Sequence, residues 1–159
     1  MTVYSGTFTP IRPDGTPIRF RDPIADAREK LRLAARLPFQ AAQPNSWQRS
    51  FRQLVADARA DLRRHIWMAS LPDSPLNTAE AEEPRLHSSI EKQRAEHDLF
   101  SESIDELVDD SSSTTPVDIW KMIELGERAI LLEMALARHH NRLSQILSET
   151  THQDVGIAG

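Results

Sequence analysis

The 159-residue chain has no cysteine. That excludes disulfides, zinc–thiolate centres, thiol catalysis and cysteine-ligated iron–sulfur clusters. Glycine is scarce, at five residues, and no Gly-x-Gly-x-x-Gly or phosphate loop can be assembled from it. No Gly-x-Ser-x-Gly elbow and no His-Glu-x-x-His pair occurs. No apolar run approaches the ~18 residues that span a bilayer, and no basic-then-apolar leader opens the chain. A cytoplasmic protein without a membrane span is therefore expected, and no enzyme class finds a supporting constellation.

What is present is a strongly patterned helical sequence. Residues 1–71 carry 12 Lys+Arg and 6 Asp+Glu, so +6; residues 72–159 carry 7 and 18, so −11. Either the basic half lies against the acidic half, or one half meets an external charged partner. The arginines Arg49, Arg52, Arg59, Arg63 and Arg64 could touch phosphates. However, no turn-plus-recognition-helix signature accompanies them, so a face paired with the acidic half or with solvent is expected, and no nucleic-acid partner.

Three segments follow from the pattern: an arm over 1–21, a helical bundle over 22–151 and a tail over 152–159. The arm has β-branched and aromatic residues around a Pro13-Asp14-Gly15 turn, so a hairpin-like or extended strand is expected there. Asp22-Pro23 is an N-cap followed by a first-turn proline, and Ile24, Ala27 and Leu31 follow at helical spacing up to Pro38. Asn45 or Ser46 is expected to cap a second helix with the stripe Trp47, Phe51, Val55, Ala58, Leu62, His65. Residues 72–84 read as a linker in which a helix could begin early, with the regular helix starting at Pro84. A third stripe contains Leu86, Ile90, His97, Phe100, Ile104 and Leu107. The last helix is expected from about Val117 to about Thr150. It has two stripes, one with Ile119, Ile123, Ile130 and Met134, the other with Leu125, Leu132, Leu136, His139, Leu143 and Ile146. So wide an apolar surface suggests a central helix, or one that also meets a partner. The fold predicted is all-α, a three- or four-helix bundle behind an N-terminal arm.

His65, His97 and His139 fall within apolar stripes, one on each long helix. Histidines converging in a bundle core build non-haem iron sites, because neutral imidazole is a good ligand for iron. Single buried histidines are more often satisfied by ordinary hydrogen bonds. A di-iron centre also needs carboxylates, for which Glu133 and Glu102 are the candidates. Glu133 stands among leucines and would need a partner if buried. His87 and Glu91 share a face that points to solvent. Glu149-x-x-His152 is a single Glu-x-x-His where ferritin-type bundles need two.

The C-terminal segment His139-His140-Asn141-Arg142-Leu143-Ser144-Gln145-Ile146-Leu147-Ser148-Glu149, with Asp154-Val155-Gly156, resembles the last helix and tail of bacterial hemerythrin-like bundle proteins. Glu96-His97-Asp98-Leu99-Phe100 is similar to an earlier helix of that family. The resemblance covers roughly residues 85–156. It implies a four-helix bundle and, in metal-binding members, a di-iron site for oxygen or nitric oxide with His97 and His139 as ligands. One turn beyond these histidines stand Ser101 and Leu143, where the family carries further ligands. The resemblance therefore implies a degenerate bundle with no bound cofactor, acting as an accessory subunit that contacts a protein partner or a second copy of itself. The alternative is an iron-binding bundle with His65, His97, His139, Glu133 and Glu102 as the ligand pool.

Overall fold

A computed structural model describes residues 13, 22–39, 42–112 and 115–155, the last five as backbone only. The expected hairpin arm and the end of the tail lie outside the described residues. Among the described residues the chain is all helical: α1 (Pro23–Ala35), α2 (Pro44–Ser70), α3 (Pro75–Glu82), α4 (His87–Ser111) and α5 (Ile119–Val155), with a 3₁₀ turn at Pro84–Leu86. No helix among them is long and apolar enough to cross a membrane.

Four of these helices form a ring. α1 packs on α2 and α5, and α4 packs on α2 and α5, which leaves α1 opposite α4 and α2 opposite α5. The amphipathic stripes dictate this arrangement: each helix buries one stripe, and two stripes meet at each seam. Ile24, Leu31, Phe51, Leu62, Ile104, Leu107, Leu125 and Leu136 are at most 1% exposed and belong to one continuous core. A second, smaller cluster of Leu76, Ala79, Leu86, Ile90 and Ile146 closes one end of the bundle. The three stripe histidines lie between these two clusters along their helices.

The helix starts follow capping chemistry, with three differences from expectation. Asp22 caps α1 by accepting from the Ile24 N–H at 2.9 Å, with Pro23 in the first turn. α2 starts at Pro44, so Asn45 and Ser46 lie inside the helix, and Gln43 at the boundary makes no side-chain cap bond. α5 starts at Ile119 rather than Val117, because the Asp118 carboxylate accepts from the Lys121 N–H at 2.8 Å, and it runs on to Val155. The segment read as a linker contains α3. Ser74 caps it by accepting from the Asn77 N–H at 3.2 Å, and Pro75 again occupies the first turn. The Ser74 hydroxyl donates to the Ala69 carbonyl, and the Asn77 amide donates to the Leu71 carbonyl at 2.8 Å. These bonds satisfy the backbone groups that the end of α2 leaves open.

Charge also shapes the packing. Buried Glu133 on α5 accepts from Arg28 at 3.1 Å and Arg32 at 2.9 Å, both on α1. Arg59 and Arg63 on α2 reach Asp105 on α4 at 3.5 and 3.4 Å. These four pairs join the basic half of the chain to its acidic half. Within the basic half, buried Asp61 is held by Lys30 and by Arg64.

Candidate metal centre

The site begins with three helical positions. His65 stands near the C-terminal end of α2, His97 midway along α4, and His139 past the midpoint of α5. All three are buried, at 4%, 7% and 0% exposure. Their rings form a closed triangle, with centroids 5.2 Å apart for His65–His97, 5.6 Å for His65–His139 and 4.9 Å for His97–His139. One nitrogen from each lies within 4.8 Å of the others. Phe100 packs edge-on against His139 at 5.2 Å and closes one side.

Carboxylates hold the outer nitrogens. The Asp22 carboxylate accepts from His65 Nδ1–H at 3.0 Å, and Glu96 accepts from His139 Nδ1–H at 3.3 Å. Glu96 is itself gripped by Arg142 one turn further along α5. A neutral imidazole with its hydrogen on Nδ1 presents a lone pair at Nε2. Both His65 and His139 therefore aim a lone pair inward. His97 Nε2 lies 3.2 Å from His139 Nε2 and donates to it. His65 Nε2 is buried and has no hydrogen-bond partner. An orphan of that kind costs about 1–3 kcal/mol.

Burial and mutual repulsion hold His97 and His139 neutral. Burial, then the neighbouring His65, pushes His97 down to about 4. Burial, then His97 and His65, pushes His139 down to about 3. Burial alone would raise the Asp22 carboxyl, but the hydrogen bonds from His65 and the Ile24 N–H outweigh it and hold the group below its ordinary value. Neutral imidazoles are the form that binds a metal ion.

The geometry suits a single ion. Nitrogens bound to a tetrahedral ion at ~2.0–2.1 Å stand about 3.3 Å apart, close to the 3.2 Å between His97 and His139. The paired carboxylates match the carboxylate–histidine arrangement that fixes the tautomer of metal-binding imidazoles. To ligate, His97 needs only to move its hydrogen from Nε2 to Nδ1. The cluster lines a cavity of about 360 Å³ whose other walls include Met68, Leu71, Leu76, Leu143 and Leu147. An ion held by these three imidazoles would keep a fourth coordination position, for which the adjoining cavity would supply the ligand.

The two carboxylates considered from sequence lie elsewhere. Glu133 is engaged by Arg28 and Arg32, and Glu102 is exposed on α4. The structure brings together His65, His97 and His139 and leaves both glutamates out of the cluster. Glu133→Gln should lower stability by ~1–2 kcal/mol through the weakened arginine pairs and leave metal content unchanged, which urea unfolding and elemental analysis would check. His87 forms a surface cluster with half-buried Glu80 and exposed Glu91, and Arg94 binds both carboxylates, which offsets one of their two charges.

Asp22 and Glu96 were absent from the sequence-based ligand pool. Asp22 was legible only as a helix cap, yet the same oxygen that caps α1 also accepts from His65. Glu96 precedes His97 in the chain, but it serves the histidine of the neighbouring helix.

No family model, no curated protein and no solved structure matches the chain.

Proposed function

We propose that this protein binds one divalent transition-metal ion, zinc or ferrous iron, through His65, His97 and His139, and presents the ion's open position to the apolar cavity. The observation that carries the reading is the convergence of three buried imidazoles, two of them with carboxylates on their outer nitrogens and one with an orphaned inner nitrogen. Three imidazoles plus a free position is the ligand set of an ion that handles a small molecule, not one that only staples a fold. Imidazole suits zinc and iron alike. A hemerythrin-like pair of irons for oxygen or nitric oxide is less well supported. It needs carboxylates to bridge the metals, and the two that touch these histidines are bonded to the outer nitrogens.

Elemental analysis of the purified chain tests this, followed by titration of chelator-stripped protein with Zn(II), Fe(II) and Co(II). One ion per chain is expected; no saturable binding of any of the three would end the proposal. Glu96→Gln should weaken binding by ~10–100-fold without removing it, the size typical of losing a partner of a ligating histidine.

A second reading rests on a separate surface. Leu99 on α4 and Leu131 and Met134 on α5 are 61%, 62% and 47% exposed, and Leu99 and Leu131 line one groove. On this reading the bundle is an accessory subunit that docks a partner or a second copy through this face. Concentration-dependent self-association, lost in Leu131→Glu, is the expected sedimentation result for a second copy. A monomer at every concentration counts against that form.

A further inference from the structure

Gln93 stands one helical turn before His97 on α4 and lines the same cavity. It is 1% exposed, and its Oε1 accepts no hydrogen bond. A buried amide oxygen without a donor is costly, and Gln93 is among the residues that line the cavity together with the three histidines. A ligand that supplies a hydrogen at that point would relieve it.

The charges around the cavity narrow the ligand further. Asp22 and Asp73 both line it. Two carboxylates balance the two charges of a divalent ion, so an anionic head gains little and meets like charge at the walls. A neutral head is preferred. Met68, Leu71, Leu76, Leu143 and Leu147 supply the remaining walls, which favours an apolar body. At ~30 Å³ per water-sized group, a cavity of about 360 Å³ accepts about a dozen non-hydrogen atoms.

We infer that the cavity is a binding site for a small neutral aliphatic alcohol, its hydroxyl oxygen on the metal ion, its hydroxyl hydrogen donated to Gln93 Oε1, and its chain against the leucine walls. This rests on the three-histidine metal reading. Gln93 acts as the specificity-determining residue, because it rewards a head that donates a hydrogen and gives nothing to a carboxylate.

The test separates the two layers. The chain is first loaded with Co(II), and its metal content is measured. Absence of cobalt would count against the metal centre itself. The fully loaded protein is then titrated with 1-hexanol while the visible cobalt spectrum is followed. A saturable spectral change is expected, with hexanoate binding more weakly. Gln93→Leu should keep its cobalt and bind 1-hexanol about 10-fold less tightly, the value of one lost hydrogen bond in a buried site. Leu71→Trp, which fills the cavity away from the ligands, should also keep cobalt and lose the 1-hexanol response. The inference is overturned if cobalt-loaded protein gives no saturable response, if hexanoate binds more tightly than 1-hexanol, or if cobalt-loaded Gln93→Leu binds 1-hexanol as well as the parent.

Discussion

His139→Ala is expected to abolish stoichiometric metal binding, so that no ion survives gel filtration in a protein that still folds. His139 is fully buried and touches both other histidines through its ring face or nitrogen. Its loss removes one of the three proposed ligands and one of the two side chains that hold Glu96. Disturbing a hydrogen-bonded partner of a ligand costs ~10–100-fold in affinity, so losing the ligand itself must exceed that range. The stability cost is smaller than the burial suggests. Truncation leaves a cavity, which is destabilising, but it also removes a buried polar group, and Leu136, Leu143 and Phe100 can close in partly. Circular dichroism and urea unfolding of the stripped variant, next to its metal content, separate loss of the site from loss of the fold. Retention of one ion per chain by a folded His139→Ala protein would show that the metal sits elsewhere.

The histidine positions were legible because they interrupt apolar stripes. A residue at stripe spacing in a bundle faces the core, and His65, His97 and His139 each held such a place. Their meeting was not legible. Periodicity fixes which face of a helix is buried but not its axial offset against its neighbours, and a shift of one turn is ~5.4 Å, enough to break the triangle. The partner of Glu133 was hidden for the same reason. Its place among leucines meant that it would need a partner if buried, but only the packing of α1 against α5 decided for Arg28 and Arg32. Helix α3 was legible only as an early start of the helix at Pro84, for a compositional reason: Pro, Ser and Asn read as linker residues. Yet Ser74-Pro75 repeats the cap-then-proline grammar that marked α1 at Asp22-Pro23, and Leu76 and Ala79 then fall at helical spacing. On α5 the two stripes look alike in sequence. The one with Leu125, Leu132, Leu136, His139 and Ile146 is buried, while Ile119 and Met134 from the other are each 47% exposed. Three neighbours are not enough to cover a helix whose apolar residues surround most of its axis.

Stability of the metal-free protein should fall as the solution is acidified from pH 7 towards pH 4, more steeply than carboxylate titration alone would produce. His97 and His139 titrate near about 4 and about 3 in the folded chain, against an ordinary value near 6.5. Below pH 6.5 the unfolded chain therefore takes up protons that the folded chain refuses. By linkage, stability that is complete above the unfolded value drains away as the pH falls towards the folded ones. The two groups together contribute about 2 kcal/mol of loss by pH 5.5, a window in which ordinary carboxylates are still ionised. The lowered Asp22 carboxyl adds a loss of the same sign at lower pH. Urea unfolding at pH 7, 5.5 and 4.5 in the presence of a chelator measures the slope. The His139→Gln variant cannot take up the second proton, so its stability should decline about half as steeply between pH 7 and 5.5. Parallel curves for the two proteins would mean that His139 is not held neutral by burial. The metal-loaded protein adds a second dependence. An ion present at 100 times its dissociation constant would stabilise the fold by ~2.7 kcal/mol. The unfolded chain is the same for loaded and stripped protein, so its protonation cancels in their difference. That difference should therefore hold nearly constant from pH 7 to 5 and shrink only as the pH falls towards about 4, where protons begin to compete with the ion in the folded chain.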